Sequence, residues 1–266
     1  MTSRTLPLSD GGTAHILEAG AGEPLLLIHG VGMCADAWRP QIDALRGGYH
    51  VVAVDMPGHG GTSALSPTAR LPDFVAWAAH LVEALDLGPV NLAGHSMGAL
   101  VSAGLAVERP DLVRRLALLN AVYCRGPEAR AAVMARADEL ARGKSSIDGP
   151  LTRWFGDDQA AIRDRVAGWL KQMDPQSYTT AYRSFAEGDR TYAEHLDRIA
   201  CPALILTGDG DLNSTPGMSV EMAARIPKGL AVIVAGHKHM VNLTDPDTVN
   251  DALRTWLNSE VAHERI

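Results

Sequence analysis

Short apolar runs separated by helix-length stretches constrain this chain more than any other feature. Leu25-Leu26-Leu27-Ile28, Val51-Val52-Ala53-Val54, Val90-Asn91-Leu92-Ala93, Leu116 to Leu119, Ala203 to Thr207 and Leu230 to Val234 each read as a strand. None shows the sustained apolar/polar alternation of a half-exposed strand. Both faces of the sheet must then be covered, as in a mainly parallel sheet with helices on either side. Helices are predicted over Phe74 to Leu85 with Asp73 as N-cap, over Ala99 to Glu108 before Pro110, and over Val249 to Leu257. The fold class expected is α/β.

The stretch from Val122 to Ile199 breaks this rhythm. It holds helix-like pieces (Pro127 to Arg142, Gln159 to Met173, Gln176 to Glu187) and no convincing strand, and Gly126-Pro127, Gly149-Pro150 and Asp174-Pro175 punctuate it. We expect a helical cap over 122–199 inserted into a core formed by 1–121 and 200–266. A chain of 266 residues, 46% apolar and 21% charged, has material for such a core.

The formal charge of −7 is spread along the chain, which gives no electrostatic reason to expect nucleic acid or an anionic membrane as partner. Met1 to Asp10 has no sustained apolar stretch of the kind a signal peptide carries. The apolar runs fall far short of the roughly 20 residues a bilayer span needs. Cys34, Cys124 and Cys201 are widely spaced, with no CxxC and no zinc-ligand pattern, so reduced thiols in a cytoplasm are expected. The glycine-rich stretches form neither GxGxxG nor a Walker loop, so neither cofactor nor metal is expected. A small-molecule substrate is the partner these features leave, and they set no oligomeric state.

Gly94-His95-Ser96-Met97-Gly98 follows the run Val90 to Ala93 and precedes the helical stretch from Ala99. A G-x-S-x-G sequence at a strand-to-helix junction is a nucleophile elbow, which exposes the serine oxygen at the carboxyl edge of a sheet. The bland alternative is a tight turn that merely contains serine, and the strand and helix on its flanks argue against it. A serine hydroxyl needs a base to take its proton as it attacks. Among ten histidines, only His237 and His239 lie in a loop after the final strand, from which a side chain reaches that edge beside Ser96. Asp209 and Asp211, after Ala203 to Thr207, are the acids available to orient the base. The Met97 N–H, directly after the nucleophile, is expected to form half of an oxyanion cradle.

From Pro24 to Leu257 the chain resembles the α/β-hydrolase family, in particular its esterase-like and lactonase-like members. The resemblance rests on His29-Gly30-Val31-Gly32, Asp55-Met56-Pro57-Gly58-His59-Gly60, the elbow, Gly208-Asp209-Gly210-Asp211 and Gly236-His237-Lys238-His239 running into Asp245-Pro246. It implies that the base stands seven residues before a proline, which selects His239 over His237. It implies that G-x-x-D from Gly208 places the acid at Asp211, leaving Asp209 as a turn former. It implies Val31 N–H as the second oxyanion donor and a structural role for His59.

Substrate-binding residues expected on this basis are Met33, Cys34, Trp38, Trp154 and Met240. Trp154, Phe155 and Trp169 could equally pack cap helices, and Cys34 has no acid–base partner that would make it a nucleophile. The activity implied is hydrolysis of a small ester or lactone through an acyl-enzyme, similar to enol-lactonases. A C–C bond hydrolase of ring-cleavage products is the nearest competitor. A cofactor-free lyase or oxygenase, or a ligand receptor without turnover, belongs to other classes. Serine rather than aspartate at position 96 argues against epoxide hydrolase and dehalogenase activity.

Overall fold

The computed structural model describes residues 1–144 and 146–260. Position 145, assigned to the cap, and 261–266, assigned to the core, lie outside the described residues. Eight strands form one sheet: β1 (Thr2–Pro7), β2 (Thr13–Ala19), β3 (Glu23–Ile28), β4 (Tyr49–Val54), β5 (Val90–His95), β6 (Val113–Leu119), β7 (Ala203–Gly208) and β8 (Gly229–Val234). Their spatial order is β1-β2-β4-β3-β5-β6-β7-β8. From β4 to β8 every pairing is parallel, while β2 runs antiparallel to both its neighbours.

The helices are α1 (Arg39–Leu45), α2 (Leu71–Leu85), α3 (Met97–Glu108), α4 (Pro127–Ala141), α5 (Asp148–Trp154), α6 (Ala160–Gln172), α7 (Pro175–Gly188), α8 (Pro216–Arg225), α9 (Val241–Thr244) and α10 (Pro246–Leu257). Strand parity assigns them to layers, because successive side chains point to opposite faces. Leu26, Ile28, Leu92, Leu116 and Leu118 pack with Phe74 of α2, Val101 of α3 and Met222 of α8. Leu25, Leu27, Ala93, Ala117 and Leu119 pack with Ile42 of α1 and with Val249, Leu253 and Trp256 of α10. Covered faces on both sides explain why these strands show no alternation in the sequence.

Between β6 and β7, the described residues of 122–199 contain α4 to α7 and no strand. α7 packs on α4 and also touches α2 and α3. Ala137, Leu151, Val166 and Phe185 of this segment belong to the same apolar cluster as one sheet face.

One expectation is corrected, the N-cap of α2, and two sets of elements lie outside the sequence-based reading. The β1–β2 hairpin was not anticipated: β1 buries only Leu6, and β2 buries only Ala14, Ile16 and Ala19. Asp73 is not the N-cap of α2. The helix starts at Leu71, with Pro72 in its first turn where a missing N–H is harmless, and Asp73 Oδ2 accepts from the Arg70 N–H at 2.7 Å. Helices α1, α5, α8 and α9 were not anticipated; the longest, α8, has ten residues.

Candidate active site

Five polar landmarks sit just beyond the carboxyl ends of five adjacent parallel strands: His29 after β3, Ser96 after β5, Asn120 after β6, Asp211 after β7 and His239 after β8. This is the edge where open α/β sheets gather ligands. At the first turn of α3, Ser96 adopts φ 54° and ψ −112°, a strained conformation for a residue with a side chain. The elbow holds it there because its flanks are closely packed. A Cβ on Gly94 would lie 2.2 Å from the Gly98 carbonyl oxygen, and one on Gly98 would lie 2.2 Å from that of Ile28. Only glycine fits at either position.

Residues far apart in sequence meet here. The Ser96 hydroxyl donates to His239 Nε2 at 3.1 Å, and His239 Nδ1–H donates to Asp211 Oδ2 at 2.8 Å. All three side chains are buried. Asp211 Oδ1 accepts from the Asn213 and Ser214 N–H groups at 2.8 and 3.1 Å. Burial works to raise the Asp211 carboxyl, but the His239 ring, the Asn120 amide and the Ser214 N–H outweigh it and hold the group below the usual aspartate range.

Asn120 has no counterpart in the sequence-based set. Its Nδ2 donates to Asp211 Oδ2 at 2.8 Å, the oxygen that also receives His239, and lies 3.1 Å from Thr207 Oγ1. The backbone at Asn120 is left-handed, φ 49°, a conformation asparagine tolerates better than most residues. The available signal was its position directly after a buried strand.

The Val31 and Met97 N–H groups donate no hydrogen bond among the described residues. The turn carrying Val31 is fixed from both sides. Gly32, at φ 80°, donates its N–H to His59 Nε2 at 2.9 Å, and His29 Nε2 accepts the Met56 N–H at 2.9 Å. His95 Nε2–H donates to the His239 carbonyl at 2.8 Å and so braces the backbone of His239. His59 is thus a scaffold residue, in contact with the loop that the resemblance assigned to the oxyanion.

His29, His59 and His95 are all fully buried, and burial pushes their pKa values down to about 4, about 3 and about 3. The Nε2 atoms of His29 and His59 must stay unprotonated to accept N–H bonds. The unfolded chain therefore takes up more protons than the folded one below the ordinary histidine value of about 6.5. The stability that the neutral rings contribute is complete above that pH and is lost as pH falls toward 4. Unfolding free energy is expected to drop from pH 6.5 to about 4 with a slope reaching about 4 kcal/mol per pH unit if all three contribute. Denaturant titrations at stepped pH check this, and a flat profile between pH 7 and 5 would contradict it.

Above Ser96 lies a cavity of about 510 Å³ walled by the sheet edge on one side and by α4, α5 and α7 on the other. Val31, Met33, Trp154 and Met240 line it. The Trp154 ring lies over His239, with centroids 5.7 Å apart and planes at 31°. Lys238 Nζ donates to the Phe155 carbonyl at 2.9 Å and fastens the loop of His239 to the end of α5.

Two expected substrate contacts are corrected. Trp38 is completely buried on the opposite face of the sheet, beside Ile42 and Leu253. Cys34 stands outside the cavity wall, with its N–H and side chain at the start of the turn leading to α1. Burial pushes its thiol up to about 12, far from a reactive thiolate. Phe155 and Trp169 pack in the apolar cluster.

His237 is directed elsewhere, with Nδ1 3.0 Å from Thr244 Oγ1. Asp209 Oδ1 accepts the Gly236 N–H at 2.8 Å, a turn contact. Arg125, Arg136, Arg153, Tyr182 and Phe185 also line the cavity and were not anticipated. Arginine on a short or polar helix reads from sequence as a solvated face, and only the fold of the segment turns these inward. Among the described residues no group of three or more histidine, cysteine or acidic side chains is placed to hold a metal ion. No helix there is long and apolar enough to cross a membrane.

A strained serine at a strand-to-helix turn, with an imidazole and a carboxylate in line behind it, defines a class of α/β protein, and comparison with known proteins places the chain in it. The chain belongs to the alpha/beta hydrolase family, which it matches over residues 25–252. It is 51% identical over 261 residues to the (E)-2-((N-methylformamido)methylene)succinate hydrolase of Acinetobacter baylyi, covering 97% of this chain and 99% of that one. Its fold superimposes with a TM-score of 0.87 on the enol-lactonase of Burkholderia xenovorans, at 23% identity over 96% of this chain and 100% of the other. A thermophilic esterase of Thermogutta terrifontis gives a TM-score of 0.87 at 23% identity, covering 97% and 98%. These two likenesses concern the fold.

Proposed function

We propose that this hydrolase opens an acyl carbon–heteroatom bond with Ser96 as nucleophile, His239 as general base and acid, and Asp211 as the group that orients the imidazole. The observation that carries the reading is the unbroken hydrogen-bond chain from Ser96 Oγ through His239 to Asp211 at the floor of the cavity. As Ser96 attacks, its proton passes to His239 Nε2, and the imidazolium is stabilised by Asp211. The tetrahedral oxyanion faces the Val31 and Met97 N–H groups, which have no competing partner among the described residues. His239 then returns the proton to the leaving group. A water activated by the same ring releases the acyl group.

The sequence alone suggests an ester or lactone. The relative from Acinetobacter, similar along the whole chain, favours a formamide attached to an unsaturated dicarboxylate. Ester, lactone and N-acyl enamine share one acyl carbon and the same two steps. For the last, Ser96 bonds to the formyl carbon, the C–N bond breaks with the nitrogen as leaving group, and water completes the release of formate.

Purified protein supplied with (E)-2-((N-methylformamido)methylene)succinate should liberate formate, read by proton NMR. Turnover of a simple lactone about 100-fold better, with no formate from the acyl enamine, would return the reading to a lactonase.

A further inference from the structure

Three arginines face the cavity: Arg125, just before α4, Arg136 on α4 and Arg153 on α5. A single carboxylate, Glu139, lines the same wall. Two positive charges are thus left over, on a chain whose formal charge is −7. The surplus is not shared equally. Arg136 has both its terminal nitrogens occupied: Nη1 donates to Glu139 Oε2 at 3.1 Å and to the Lys144 carbonyl at 3.2 Å, and Nη2 donates to the Ser146 carbonyl, which leaves only its Nε without a partner among the described residues.

Arg125 is the inner cation. Its side chain is 5% exposed, stacked 4.5 Å from the centre of the Phe185 ring. Asp189 lies 3.5 Å away, but that carboxylate already takes Arg130 at 2.8 Å and the Arg125 backbone N–H at 2.7 Å. Arg125 Nη2 is buried with no partner among the described residues. An unpaired buried guanidinium N–H is costly unless something arrives to accept from it. Arg153, in the last turn of α5, is exposed and enters no ion pair among the described residues. It is the outer cation.

We infer that the cavity reads two carboxylates, Arg125 pairing with one deep in the wall and Arg153 with the other toward solvent, so that small acyl-bearing dicarboxylates are its preferred ligands. The inference rests on the reading that this cavity is the substrate site of Ser96. Guanidinium suits the task because its planar fork matches a carboxylate and holds its charge at any working pH. The Phe185 ring behind Arg125 keeps the fork flat against one wall, so an incoming carboxylate meets a cation already held in place.

Ligand binding without turnover tests this. Succinate and butyrate, a dianion and a monoanion of the same chain length, are titrated by calorimetry into the wild-type protein and into Arg125→Gln, Arg153→Gln and Arg165→Gln. Arg165 is an exposed arginine on α6 outside the cavity wall, and its variant removes the same charge. Wild type is expected to prefer succinate by at least about 10-fold. Arg125→Gln and Arg153→Gln should each weaken succinate by about 10- to 100-fold, the scale of one charge-assisted pair, while Arg165→Gln leaves it unchanged. Should Arg125→Gln fail to fold, Arg125→Lys keeps the charge but loses the fork, and is expected to give an intermediate loss. Absence of succinate binding, equal affinity for the two acids, or equal losses in all three glutamine variants would overturn the inference. Failure of the nucleophile assignment would instead show as activity surviving in Ser96→Ala, with the succinate preference intact.

Discussion

Ser96→Ala should lower kcat by about 10⁵- to 10⁶-fold while leaving the melting temperature close to that of the parent. The large loss follows because the Ser96 Oγ, 3.1 Å from His239 Nε2, is the only hydroxyl bonded to that nitrogen among the described residues. What survives reflects the oxyanion cradle and substrate positioning alone. The fold should tolerate the change, since alanine occupies the φ 54° backbone at a cost similar to serine, and Gly94 and Gly98, which create the elbow, are untouched. A serine-directed phosphonate should label the parent protein at residue 96, read by mass spectrometry of the digested chain. Persistent labelling of Ser96→Ala at another residue would refute the assignment of the nucleophile.

His239→Ala should be as damaging as loss of the serine, because residues that act as a unit fail together. His237→Ala should retain activity within about 5-fold of the parent. The two rings are separated by one residue yet do unrelated things. His239 is buried between Ser96 and Asp211, whereas His237 bonds Thr244 at the end of α9. The main-chain service of His237, accepting the Gly210 N–H at 2.9 Å, survives truncation of its side chain. Steady-state kinetics on the two variants decide the matter, and the reverse ranking would exchange the assignments.

The central sheet was legible because burial on both faces writes itself into the sequence as unbroken apolar runs, as in Leu25 to Ile28 and Ala203 to Thr207. The hairpin of β1 and β2 was not, because it lies at the sheet edge, where β1 leaves most of its side chains in solvent. Ser96 was legible for a steric reason: the elbow forces glycine on both flanks, so backbone geometry leaves a mark in residue identity. The order of choice between His237 and His239 came from spacing to Pro246, and the structure places only His239 against Ser96.

Trp38 misled because proximity in sequence to the oxyanion turn does not set the side of the sheet, and the tight helical turn at Ala35–Trp38 sends that ring to the opposite face. Asn120 and Arg125 escaped notice because one polar residue after a strand, or one cation before a helix, is common in loops. Their significance depends on contacts with positions about 90 and 60 residues away, Asp211 and Asp189.

The segment between β6 and β7 carries Arg125, Arg136, Arg153, Trp154 and Phe185 in a single continuous stretch, while Ser96, Asp211 and His239 sit on three separate strand ends. If these three residues cleave substrate as proposed, exchange of one block of gene sequence would hand the same machinery to a different set of molecules. The reverse exchange has no such short cut, since the three proposed catalytic residues are scattered through the chain and arrive together or not at all. Diversification of such a scaffold is expected to proceed by replacing its roof and keeping its floor.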